Sequence, residues 1–122
     1  MTTVLAMDPA FRPDMVAMLA ASSALMLSGT PFDGPVAGLR IGRINGEFKA
    51  FLTPEEREKS TLDLVVACKD GKVMMVEAGA NEVPEAMIIE AMHWAVKNVQ
   101  PALDLQRELM EKVGVESQEY EL

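Results

Sequence analysis

Three observations predict an α+β fold made of one helix, a four-stranded mainly antiparallel sheet and a long C-terminal helix. Two dipeptides, Asn45-Gly46 and Asp70-Gly71, interrupt runs of strand-forming residues. Both central residues of a type I′ turn need positive φ, which these residue types tolerate, so each pair marks a tight hairpin. Apolar residues then recur at helical spacing through Ile88, Met92, Ala95, Val96, Val99, Leu103 and Val113, which places a long helix after the strands. Tight hairpins join antiparallel strands, and a sheet with an apolar face needs helices to cover it.

The elements follow in order. Residues 4–6 (Val-Leu-Ala) read as the end of a strand, and Asp8-Pro9 with Arg12-Pro13 as a loop. Asp14 is placed to cap a helix over residues 15–28, stopped by Gly29 and Pro31. Only Ser22 and Ser23 break its apolar surface, while Ala17, Ala20, Ala21 and Ala24 allow close approach of neighbours. A helix apolar all round is buried all round, so this one asks for cover on more than one side.

Residues 36–44 and 47–52 form the first predicted hairpin. Thr53-Pro54-Glu55-Glu56 has the order of a helical start: a cap, a proline at the first position and an acid at the third. Residues 62–68 are apolar on both parities except at Asp63, as in a strand covered on both faces. Residues 73–76 return from the second turn. The C-terminal helix opens around residues 81–84, is kinked or split near Asn98 by Pro101, and stops at Gly114. The expected division is residues 1–83 as helix plus sheet and residues 84–122 as a long helix completing it. From Asp104 onward six acids face Arg107 and Lys112, so the end is expected to fray into solvent.

At 122 residues the chain has room for one domain. A net charge of −8 argues against a nucleic-acid binder that works by overall charge, and 49% hydrophobic residues exclude a disordered tail. The single Cys68 excludes an intramolecular disulfide. The longest apolar block, residues 15–27, falls short of the roughly 17–25 residues that cross a bilayer as a helix, and no membrane partner is expected.

Reactive groups are scarce. His93 is the only histidine, which removes any histidine pair or relay within one chain, and a partly buried packing role is expected. Cys68 reads as a small core residue, with no cation placed to stabilise a thiolate. Glu55, Glu56 and Glu58 near Asp63 suggest hard-cation binding, but Arg57 and Lys59 alternate with them and make a self-neutralising loop the simpler account. Gly34, Gly38, Gly42 and Gly46 recur every four residues without the lysine and hydroxyl of a phosphate loop, so close approach of a neighbouring helix explains them better. Arg40, Arg43 and Lys49 oppose only Glu47, giving the first hairpin a local +2. Arg40 and Arg43 point to opposite faces of a regular strand and are the candidate nucleic-acid contacts, the alternative being salt bridges to the acidic loop.

The stretch Ser28-Gly29-Thr30-Pro31-Phe32-Asp33-Gly34-Pro35, the hairpin Arg40-Ile41-Gly42-Arg43-Ile44-Asn45-Gly46 and the segments Leu62-Asp63-Leu64-Val65-Val66-Ala67 and Val73-Met74-Met75-Val76-Glu77-Ala78 closely resemble the polynucleotide phosphorylase family. The likeness runs from Thr2 to about Gln100 and is to the second half of the first ribonuclease-PH-like core domain, leading into an all-helical linker. It implies a cytoplasmic 3′-to-5′ phosphorolytic exoribonuclease that converts RNA and inorganic phosphate to nucleoside diphosphates, with magnesium or manganese, in a homotrimeric ring. The family's catalytic copy has an acid where this chain has Arg57, another at Asp63, a lysine at Val65 and phosphate-holding serines near Pro13 and Asp14. Only Asp63 matches, so the resemblance implies a segment with no catalytic residue and no bound metal or other cofactor of its own, acting as scaffold and RNA guide. Residues 2–5 are similar to the interior of a strand, as expected of a piece of a longer chain. The alternative is a stand-alone non-catalytic interaction module of the same subdomain fold; a small metal enzyme using residues 55–63 is a third reading.

Overall fold

The computed structural model describes residues 1–116. Its elements are α1 (Asp14–Leu27), β1 (Ala37–Ile44), β2 (Glu47–Ala50), α2 (Pro54–Lys59), β3 (Leu62–Lys69), β4 (Lys72–Ala80), α3 (Glu85–Asn98) and α4 (Gln100–Val113). The strands form one sheet in the order β2-β1-β3-β4, every pair antiparallel. Both hairpin turns use the expected backbone, with φ of 51° and 88° at Asn45 and Gly46 and of 47° and 72° at Asp70 and Gly71. The α2 crossing returns the chain to the free edge of β1, so the two hairpins join through β1 and β3.

Side-chain alternation divides the sheet into two faces. Ala37, Leu39 and Ile41 of β1 align with Cys68, Val66 and Leu64 of β3. They form one buried cluster with Ala91, Ala95, Val99 and Leu103. The alanines bring the α3 backbone close to the sheet, and the larger aliphatics fill what remains. The opposite face carries Gly38, Arg40 and Gly42 beside Ala67, Val65 and Asp63. Here α1 lies across β1. A Cβ on Gly38 would stand 2.7 Å from Met18 Sδ, so glycine sets how closely the helix can approach.

Four local readings need correction. Residues 4–6 form no strand, since nothing among the described residues pairs with them. Asp14 is the first residue of α1, while Pro13 is its N-cap without a side-chain hydrogen bond. β2 stops at Ala50 rather than at residue 52, because Phe51 takes φ 56° and turns the chain out of the ladder. β4 runs on to Ala80, four residues past the expected end.

The apolar helix also departs from expectation. Only Met15 and Ser22 of α1 are buried, and Val16 is 62% exposed. Burial all round would need a covering body beyond the elements described. Ser22 has a use that its polarity alone did not reveal, for its Oγ accepts the Val36 N–H at 3.0 Å and ties α1 to the start of β1. The C-terminal helix is split as expected: α3 ends at Asn98, α4 begins at Gln100, and Val99 caps both. Pro101 lacks the N–H that a continuous helix would bond to the Lys97 carbonyl. Gly114 ends α4 at φ 68°. The expected fraying concerns an acidic end whose last six residues, 117–122, lie outside the described residues. Among the described residues no helix is long and apolar enough to cross a membrane.

Candidate functional site

A cleft of about 310 Å³ opens on the α1 face, between the start of α1, the middle of β1, the β2–α2 connection and the adjoining ends of β3 and β4. Arg40 stands at its centre. The guanidinium Nη1 donates to Asp14 Oδ2 at 2.8 Å and Nε donates to Asp63 Oδ1 at 2.6 Å, while Nη2 pairs with Asp63 Oδ2. The fork therefore bridges a helix start and a neighbouring strand, a geometry suited to its planar donors. The hydrogen bonds to Asp63, joined by those to Asp14, hold the Arg40 pKa above its usual value against the opposing effect of burial.

The β2–α2 connection forms one wall. Phe51 is 56% exposed at its positive φ, a backbone state that costs a non-glycine residue about 1–2 kcal/mol. After it Leu52 is buried, and Thr53 opens α2 with a complete capping box. The Glu56 N–H donates to Thr53 Oγ1 at 3.4 Å, and the Thr53 N–H donates to Glu56 Oε2 at 3.0 Å. Lys49 Nζ donates to Glu56 Oε1 at 2.5 Å. That hydrogen bond, with the one from the Thr53 backbone, lowers the Glu56 pKa. Arg57 reaches back into the cleft, where its Nη1 donates to the Leu52 carbonyl at 3.4 Å. Ser60 then locks the wall to the sheet. Its Oγ accepts the Arg43 N–H at 2.8 Å and donates to the Leu62 carbonyl at 2.6 Å. Gly42 leaves room for this arrangement, since a Cβ there would lie 2.5 Å from Leu52 Cδ2 and 2.7 Å from Ser60 Oγ.

The structure separates the residues singled out in the sequence. Arg40 and Arg43 do occupy opposite faces, and only Arg40 lines the cleft. The partners of Arg40 are Asp14 and Asp63 rather than the acidic loop, whose Glu56 is taken by Lys49. Arg43 holds a buried Nε without a hydrogen-bond partner among the described residues. Cys68 is buried in the aliphatic cluster, and burial pushes its thiol pKa up. His93 is exposed on α3, a correction to the packing role expected, because Ala91 and Ala95 form the stripe that meets the sheet.

The donor set does not fit a divalent cation. Asp14 and Asp63 are held by the Arg40 guanidinium, and Arg57 adds a second positive group to the same wall. Among the described residues no three His, Cys, Asp or Glu side chains are grouped to hold a metal.

Sequence reasoning missed Phe11, Arg12, Phe51 and the joint at Ser60. Serine between a short helix and a strand gives no warning that it will hydrogen-bond a strand 17 residues upstream. Phe51 gives no such warning either, since the sequence places it inside the returning strand over residues 47–52.

Residues 34–98 match the family model described as "3' exoribonuclease family, domain 2". Similar over nearly the whole chain are proteins named polyribonucleotide nucleotidyltransferase. That of Nitratidesulfovibrio vulgaris (strain DP4) is 45% identical over 120 residues, covering 98% of this chain and 16% of the relative. That of Citrifermentans bemidjiense is 44% identical over 119 residues, covering 98% and 17%. That of Myxococcus xanthus is 42% identical over 119 residues, covering 98% and 16%. The chain thus spans about one sixth of the length of these relatives. With its β2-β1-β3-β4 sheet and packed helix α3 inside the matched region, the chain belongs to the 3′ exoribonuclease family, as its domain 2.

Proposed function

We propose that the chain is a non-catalytic part of a 3′-to-5′ phosphorolytic exoribonuclease, a polynucleotide phosphorylase that converts RNA and inorganic phosphate to nucleoside diphosphates. The placement of Arg40 carries this reading. Its guanidinium occupies the space between Asp14 and Asp63, in the cleft where the resemblance to the catalytic copy calls for acids and a phosphate cradle. A cation built into the wall leaves no place for metal-assisted attack by phosphate. Magnesium or manganese belongs in this proposal to another part of the whole protein.

The contribution of the segment is scaffolding. Residues 1–83 supply helix and sheet surfaces, and residues 84–122 complete the core and lead toward an all-helical linker. The exposed side of α1 and the nine exposed residues of β4 support a surface role, in a homotrimeric ring of a cytoplasmic enzyme. Arg40 and Arg43 serve as weak RNA guides on opposite faces of the hairpin. Incubating the chain with RNA, inorganic phosphate and magnesium should release no nucleoside diphosphate above background; robust release would overturn the non-catalytic assignment. The stand-alone interaction module draws on the same exposed surfaces. An open reading frame that continues on both sides of the segment supports the first reading, and native start and stop codons the second.

A further inference from the structure

We propose that the cleft around Arg40 binds one nucleotide unit, with the base stacked on Phe51 and the phosphate held by Arg57 and Arg12. The inference rests on what the cleft offers and does not depend on the activity of any longer protein. Arg12, Arg40 and Arg57 face Asp14 and Asp63 there, a local excess of one positive charge on a chain of net charge −8. Arg40 commits three of its five N–H donors to the two carboxylates. Arg12 and Arg57 make no ion pair among the described residues, and Arg57 spends a single N–H on the Leu52 carbonyl. Two guanidinium groups are therefore open to an anion.

Two phenyl rings stand beside them. Phe11 is 49% exposed and Phe51 is 56% exposed on the rim. Exposed aromatics next to arginines match the stacking platform and phosphate clamp used by sites for single-stranded nucleic acid. Phe51 is also held in a backbone conformation unfavourable for its type, with Leu52 buried behind it and the Thr53 cap fixing the next residue. Strain kept at an exposed aromatic points toward function rather than packing, because no core contact rewards it. The volume of about 310 Å³ lies at the small end of ordinary ligand pockets, suiting one nucleotide and not a folded partner.

Free nucleotides and the terminal unit of a single-stranded RNA share this chemistry, and titration separates them. The chain, without added metal and with EDTA present, is titrated by calorimetry with ADP, adenosine, inorganic phosphate and a five-residue oligoadenylate. Saturable ADP binding at least tenfold tighter than adenosine or phosphate alone is expected. An oligoadenylate affinity well above that of ADP assigns the site to an RNA end, and equal or lower affinity assigns it to the free nucleotide. Phe51→Ala and Arg57→Gln should each weaken ADP binding about tenfold. Phe51→Trp should retain binding and show fluorescence quenching on ADP addition. Lys112→Gln, on the far part of α4, should change nothing. Absence of saturable ADP binding to a chain with its native far-UV dichroism overturns the proposal. So does equal affinity for ADP and phosphate, or a Phe51→Trp variant that binds ADP without quenching.

Discussion

On the α3–α4 face of the sheet, Ile41, Leu64 and Val66 meet Ala91, Ala95, Val99 and Leu103, all at 1% exposure or less. On the α1 face the same two strands present Arg40 and Asp63 to an open cleft, under a helix that keeps Val16 and Leu25 exposed. One face is finished within the chain, and the other is charged, concave and partly uncovered. Stability resides on the first, since cavity and desolvation penalties act only where side chains are enclosed. The second face is free to carry recognition.

Substitutions can test that division. Leu103→Ala should produce the largest loss, about 2–5 kcal/mol in urea unfolding, because it empties a fully enclosed site. Leu25→Ala on α1 should stay within about 0.5 kcal/mol; a comparable loss there would mean that α1 is covered in solution.

Gln106→Leu comes next, at about 1–2 kcal/mol. Its Nε2 donates to the Val36 and Ala102 carbonyls at 3.1 Å each, and leucine leaves the Val36 oxygen without that donor. Thermal unfolding checks it. Arg40→Met should cost about 1 kcal/mol, discounted because its carboxylate partners are one third to one half exposed, and the cost should shrink in high salt. A loss several times larger, unaffected by salt, would place Arg40 in an enclosed core instead.

The smallest effect concerns pH. The folded-state pKa of Glu56 is lowered by Lys49 and the Thr53 N–H, so its contribution is fully present above the ordinary carboxylate range. It disappears as pH falls through the lowered value. Glu56→Gln should therefore lower the neutral plateau slightly and converge with the wild type in acid, so that the acid limb of the stability–pH curve is flatter. A variant that keeps the wild-type acid limb would assign that limb to other carboxylates.

Features governed by a few neighbouring residues were legible in advance. The two turns, the Thr53–Glu56 capping box, the break at Pro101 and the stop at Gly114 each follow from backbone preferences acting within about one turn of chain. The motif from Ser28 to Pro35 and the Arg40–Gly46 hairpin also carried the family resemblance, which the match over residues 34–98 bears out. The candidate site was harder to see. Arg40 was singled out for its charge, while Arg12 was read only as part of a loop and Phe51 as part of a strand, because no local pattern says which loops will share a cleft.

What tertiary structure alone decided are the partnerships across distance in the chain. Arg40 joins Asp14 and Asp63 from 26 and 23 residues away, and Gln106 reaches Val36 from 70 residues away. The open side of α1 belongs with them. Apolar periodicity tells a helix which surface it would bury, but only the bodies that pack against it determine whether water is excluded. Dihedral preference is a property of a short segment, whereas burial and ion pairing depend on every element that arrives from elsewhere in the fold.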